Sequence, residues 1–322
     1  MILAFFAVLC VPAMADAKDL RVGLWHVSLS RDGPGLLLRD LLEKDPALIA
    51  VADAIGVADA DIVVLTRFDY DASGVTLRTF ADLVDNDYRF VLPLNSNSGR
   101  PTNFDIDGDG RLGEPEDAHA FGRFPGQEAL GILSRFPLAV QNVHSFNDML
   151  WRDLPGTLVL KSDIGLGIQR LSSGGHWLVP VLVPGKSDEL QVTLLIGHAG
   201  PPVFDGPEDR NGRRNRDELR LWEQIIEGLT DPFLFMANTN LDPERGEGAR
   251  DAMALFLANP QLQDPLAGQV TAHWDRPGPM RVSYVLPSSD FEVLSATVWP
   301  VLADHDRSLI TVDLVQPNAP LP

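Results

Sequence analysis

The apolar run Phe233-Leu234-Phe235-Met236 empties into Asn238-Thr239-Asn240 and Asp242-Pro243, and no other stretch restricts the fold of this chain as much. Such a run reads as a buried strand, which needs other layers to cover it. Polar side chains at the end of a buried strand are where α/β proteins place their chemistry. Further along, Ala303-Asp304-His305 precedes a second apolar strand, Ser308–Val315. A carboxylate beside an imidazole is a pair suited to moving protons.

The remaining pattern predicts a sheet-rich chain. Strands are expected at 20–27, 61–65, 131–134, 158–160, 176–183, 190–196, 280–286 and 291–294. Helical spacing of apolar residues covers 35–44, 77–85, 214–229 and 249–257. A loop rich in Gly, Pro, Asp and Asn runs from about 95 to 128, a length usually tied to function or to a metal. With 45% hydrophobic residues and no dividing linker, one α/β domain over 18–316 is the simplest organisation.

Residues 1–15 form an apolar run ending in Ala13-Met14-Ala15, the pattern of a signal peptide, and imply a periplasmic or secreted protein. No later segment is long and apolar enough to cross a bilayer. Cys10, inside that run, is the only cysteine, so the mature chain would carry neither disulfide nor thiol chemistry. The formal net charge of −19 repels polyanions and argues against nucleic acid as a partner.

Asp105–Glu116 reads D-I-D-G-D-G-R-L-G-E-P-E. Asp105, Asp107 and Asp109 fall on positions 1, 3 and 5 of a calcium loop, Gly110 on the sharp turn at 6, and Glu116 on 12. Alternate residues turn three carboxylates toward one point, and a hard cation wants six to eight oxygens. The expectation is a structural Ca²⁺ held by Asp105, Asp107, Asp109, Glu116 and the backbone carbonyl of Arg111. The other reading is a solvated acidic turn.

Six ordered segments resemble the endonuclease/exonuclease/phosphatase superfamily: LRVGLWHV, DADIVVLTRFDYD, LLIGHAGPP, FLFMANTNLDP, RVSYVLPSS and ADHD. The run FDGPEDRNGRRNRDELRLW is similar to exported bacterial members. The resemblance implies a four-layer fold, a two-sheet β-sandwich flanked by helices, and a metal-dependent phosphoester hydrolase scaffold. His198, Asn240, Asp304 and His305 match its catalytic positions. Four positions depart: His26 for Asn, Arg67 for the metal-binding Glu, Asn238 for the Asp that activates water, and Ser283 for Asp.

These departures reach the chemistry. Mg²⁺ binds through carboxylate oxygens, and an arginine removes one while adding a positive charge. An amide cannot accept a proton at neutral pH. The resemblance therefore implies a degenerate site, with Mg²⁺ in the cleft doubtful and a small anionic or phosphorylated ligand expected. Arg67 either acts as a built-in cation for that ligand or pairs with Asp304 and fills a dead site. Asn211 and Arg213, with Asp209 and Asn215, either line the same cleft or cap the helix that follows. Two further functions stay open. One is an active phosphomonoesterase or phosphodiesterase using Asp69, Asp71 or Asp242 as replacement ligands. The other is a protein-interaction module.

Overall fold

A computed structural model describes residues 19–185 and 189–315. The apolar run at 1–15, with Cys10, expected to be a signal peptide, lies outside the described residues. Among the described residues no helix is long and apolar enough to cross a membrane.

In chain order the elements are β1 (Leu20–His26), α1 (Leu36–Leu42), α2 (Pro46–Ala58), β2 (Ile62–Phe68), α3 (Val75–Ala81), β3 (Phe90–Leu94) and β4 (Ala129–Ser134). Then come β5 (His144–Ser145), β6 (Gly175–Pro184), β7 (Glu189–His198), α4 (Arg210–Glu227), β8 (Phe233–Asn238) and α5 (Arg250–Leu257). The chain closes with β9 (Ala272–His273), β10 (Pro279–Met280), β11 (Ser283–Pro287), β12 (Glu292–Val298) and β13 (Ile310–Val315). A six-stranded mixed sheet has the order β12-β13-β1-β2-β4-β3, and a five-stranded one the order β11-β8-β7-β6-β5.

Strand alternation builds three cores at once. Leu20, Val22 and Leu24 of β1 face inward with Leu194 and Ile196 of β7 and Leu234 and Met236 of β8, filling the space between the sheets. Val63 and Leu65 of β2 face outward onto Leu48, Val51 and Ile55 of α2 and Leu77 and Phe80 of α3. Phe233 and Phe235 of β8 face outward onto Trp222 and Ile226 of α4 and Met253 and Phe256 of α5. The result is helix on sheet on sheet on helix, the layered α/β sandwich that the resemblance implied.

Three local readings are corrected. Leu158–Leu160 is not a strand; its backbone is spent on the side chains of Asp217 and Asp163. The strand expected over 280–286 is broken at Arg281-Val282, where the backbone N–H groups turn to Asp242 and to Thr271 Oγ1. Helix α2, which no expectation covered, is started by Asp45, whose carboxylate accepts from Ala47 N–H at 2.8 Å, with Pro46 at its first position.

Candidate active site

The parallel pairs β1–β2 and β7–β8 bring four strand ends to one edge of the sandwich. His26 ends β1 and His198 ends β7, so the two imidazoles meet between the sheets, edge to face, with centroids 4.8 Å apart. Both are buried. His26 Nδ1 shares a 2.7 Å hydrogen bond with Thr66 Oγ1 on the neighbouring strand. Burial, then the Arg67 and Arg307 guanidiniums, pushes the His198 imidazolium pKa down to about 3. Burial, then His198, Arg307 and Arg67, holds His26 well below its ordinary value. Both rings are neutral at pH 7, each offering one donor and one acceptor nitrogen. Gly174 is required beside them: a Cβ there would lie 2.6 Å from His198 Nδ1.

Arg67 sits in a bulge of β2, where the pairing with β4 slips between Thr66 and Phe68. Its backbone is left-handed, φ 62°, an uncommon conformation for a residue with a side chain. Its Nη2 donates to Glu128 Oε1 at 2.6 Å. The expected alternative partner, Asp304, is thereby replaced: Arg67 pairs with Glu128. Glu128 is also left-handed, φ 52°, and its N–H donates to the buried Asp69.

Asn238 ends β8 and is fully buried; its Nδ2 donates to Ser283 Oγ at 3.1 Å, and its Oδ1 has no partner. Asn240, in a left-handed turn, donates to the carbonyl of Ala199 at 2.7 Å, so it is anchored to the residue after His198. Asp304 and His305 are elsewhere. Asp304 is exposed in a turn with φ 64°, and His305 lies 5.8 Å from the Trp25 ring. Trp25 faces the outer helix layer, opposite to His26. The chain instead brings Arg307 to the imidazole pair. Arg307 is buried beside β1, its carbonyl accepting from Trp25 Nε1 at 3.2 Å.

Sequence reasoning missed Arg307 and Glu128. The only signals were a charged residue directly before the buried strand β4 and another shortly before β13. Asn211 and Arg213 do not join the cluster. Asn211 donates to Val203 O, and Arg213 makes a two-pronged ion pair with Asp163 at 2.8 and 2.9 Å. Asp209 flanks α4 but makes no side-chain cap. Asn215 is tied to the carbonyls of Gly200 and Thr239.

The replacement carboxylates are committed as well. Asp69 accepts from the N–H groups of Arg31 and Glu128, Asp71 from Ser73, Val75 and Thr76, and Asp242 from Glu244, Arg245 and Arg281. Mg²⁺ binds through carboxylate oxygens; here the Glu128 carboxylate is held by the Arg67 guanidinium, and Asn238 and Ser283 at the ends of β8 and β11 offer an amide and a hydroxyl. Among the described residues, the group of three acidic or imidazole side chains with converging ligand atoms is Asp105, Asp107 and Asp109, within 4.8 Å of one another. Gly110 N–H donates to Asp105 Oδ2 at 2.9 Å, forming the expected sharp turn. Glu116 is exposed and outside that group; Asp117 closes the loop, accepting from Ile106 and Gly113 N–H. The Arg111 guanidinium reaches Glu114 at 3.3 Å.

Residues 29–308 match the profile of the Endonuclease/Exonuclease/phosphatase family. A solved endonuclease/exonuclease/phosphatase from Beutenbergia cavernae is 19% identical, covers 95% of this chain and 73% of its own, and gives a TM-score of 0.60. A mannosyl-6-phosphatase of Bacteroides thetaiotaomicron is 11% identical over 92% of this chain and 100% of its own, with a TM-score of 0.52. The human Nocturnin catalytic domain, solved with a bound sulfate anion, is 14% identical over 94% and 95%, also at 0.52. No curated protein matches the chain.

Proposed function

Because this chain belongs to the endonuclease/exonuclease/phosphatase family, we propose that it is a phosphoesterase scaffold whose cleft binds an anionic, phosphate-like ligand without turning it over. The observation that carries this reading is the Arg67 guanidinium beside two buried, neutral imidazoles, where the resemblance calls for a metal-binding carboxylate. A fixed cation favours an oxyanion. Turnover needs more: a base for water and charge neutralisation of the phosphoryl oxygens. Asn238 cannot accept a proton, and an imidazole with a pKa near 3 is a poor base at pH 7. Loss of one general base alone costs about 10²–10⁴ in rate. Relatives of the fold lend support, one being a sugar phosphatase and another holding sulfate.

With Mg²⁺, Mn²⁺ or Ca²⁺ present, a chromogenic phosphate ester is expected to be released no faster than in buffer. Inorganic phosphate is expected to raise the melting temperature, and Arg67→Ala to abolish the rise. Metal-dependent hydrolysis that disappears in His198→Ala would refute the reading.

The loop at 105–117 belongs to the same proposal as a separate, structural Ca²⁺ site, supported by the converging oxygens of Asp105, Asp107 and Asp109. Excess Ca²⁺ is expected to raise the melting temperature over that in chelator. Identical melting curves would remove calcium from the account.

A further inference from the structure

We propose that Glu128 is a built-in occupant of the anion site, and that the ligand is a dianion, a phosphate or sulfate group, which displaces Glu128 and is gripped by Arg67 and Arg307 together. The inference rests on the anion-binding reading above and adds the second cation, the competitor and the charge of the ligand.

The two arginines flank His26. Arg67 lies on β2, to one side of β1; Arg307 precedes β13, on the other side, and is tied to β1 through Trp25. Both cations depress both imidazoles, so both are near the ring pair. Neither guanidinium is saturated. Arg67 Nε, Arg307 Nε and Arg307 Nη1 are buried without an aligned acceptor, and Arg307 is only 7% exposed. Asp306 Oδ2 comes within 2.7 Å of Arg307 Nη1, but the approach is not aligned as a hydrogen bond, and the same oxygen accepts from Trp274 Nε1 at 2.7 Å. His198 Nδ1 is buried and unpartnered too. Buried donors left unmade are costly, and an oxyanion with three free oxygens is the group that meets several at once.

Glu128 meets only part of that need. One of its oxygens serves Arg67, with the two side chains 31% and 33% exposed. An ion pair this open to solvent contributes little, so this one is readily exchanged. Its main chain is pinned by Asp69 in a left-handed conformation, yet the carboxylate itself stands at the solvent side, free to swing into water once released.

The probes are sulfate and nitrate, a tetrahedral dianion and a planar monoanion, followed by calorimetry on the full chain. Sulfate is expected to bind tighter than nitrate. Glu128→Gln is expected to tighten sulfate by about 10-fold, a 1.4 kcal/mol change, and Arg307→Gln to weaken it by at least as much. Arg307→Lys keeps the charge but loses the planar fork, and is expected to fall between; it also serves if Arg307→Gln fails to fold. If Arg307→Gln or Arg307→Lys binds as the parent does while Arg67→Ala does not, the two-arginine grip is wrong and the simpler anion site survives. If Glu128→Gln weakens sulfate, Glu128 is a support and not a competitor. Equal affinity for nitrate overturns the dianion. No binding of either ion removes the reading on which this one rests.

Discussion

Trp222→Ala is expected to destabilise the folded chain by about 3–5 kcal/mol, read as a lower denaturant midpoint with an unchanged slope. Trp222 is buried on α4, with its ring 4.7 Å from His176 and edge to face with Phe235 at 5.5 Å. Gly197 of β7 has no room for a side chain because that ring is there; a Cβ would sit 2.8 Å from it. Removing the indole leaves a hole bounded by a sheet on one side and a helix on the other, and neither can collapse into it without breaking its ladder. Trp222→Phe, which keeps most of the volume, is expected to cost far less. A loss within about 0.5 kcal/mol for the alanine variant would mean that α4 does not hold the five-stranded sheet in this way.

Asp217→Ala comes next in size. Its buried carboxylate accepts from Trp151 Nε1 at 2.6 Å, Thr157 Oγ1 at 2.8 Å and Leu158 N at 2.6 Å, all through Oδ2. Three donors would be stranded, at about 1–3 kcal/mol for each that finds no water. The buried one, Trp151 Nε1, carries the heaviest share. The segment over 151–160 is expected to loosen first, seen as faster amide exchange there than in β7 or β8. Asp217→Asn keeps an acceptor and is expected to be milder. Unchanged protection of Leu158 in the alanine variant would show that the loop is held by its apolar packing alone.

Glu218, one residue on, follows the same pattern. Its carboxylate accepts from Ser173 N at 2.6 Å and Gly200 N at 2.8 Å, clamping the backbone on both sides of His198. Burial raises its pKa to about 7. The charged polar run of α4 is therefore structural: Arg214, Asn215, Asp217 and Glu218 hold loops from four parts of the chain, around 151–158, 170–173, 200 and 239.

Much of this was legible in the residues. The apolar runs of β7 and β8, the helical stripe of α4 and the polar residues at strand ends are local patterns, and local patterns are fixed by period and composition. The positions of His26, Arg67, Asn238 and Ser283 were visible too, because each sits in or beside a recognisable strand. Local reading failed where the chain leaves its strands. Asp304 and His305 match a motif by spelling, but a turn carries them to the outer face of β1. Arg307 and Glu128 belong to no motif, and only the approach of β13 and β4 to the neighbouring strands brings them to the cleft.

The sequence by itself determined the layers, the strands and the presence of an arginine at the end of β2, since these follow from side-chain type and spacing along the chain. Only the tertiary structure decided which charges face one another. Pairing of Arg67 with Glu128 spans 61 residues, and the grouping of Arg67 with Arg307 spans far more of the chain. Electrostatic partnership depends on distance through space and on burial, neither of which is written in the order of residues.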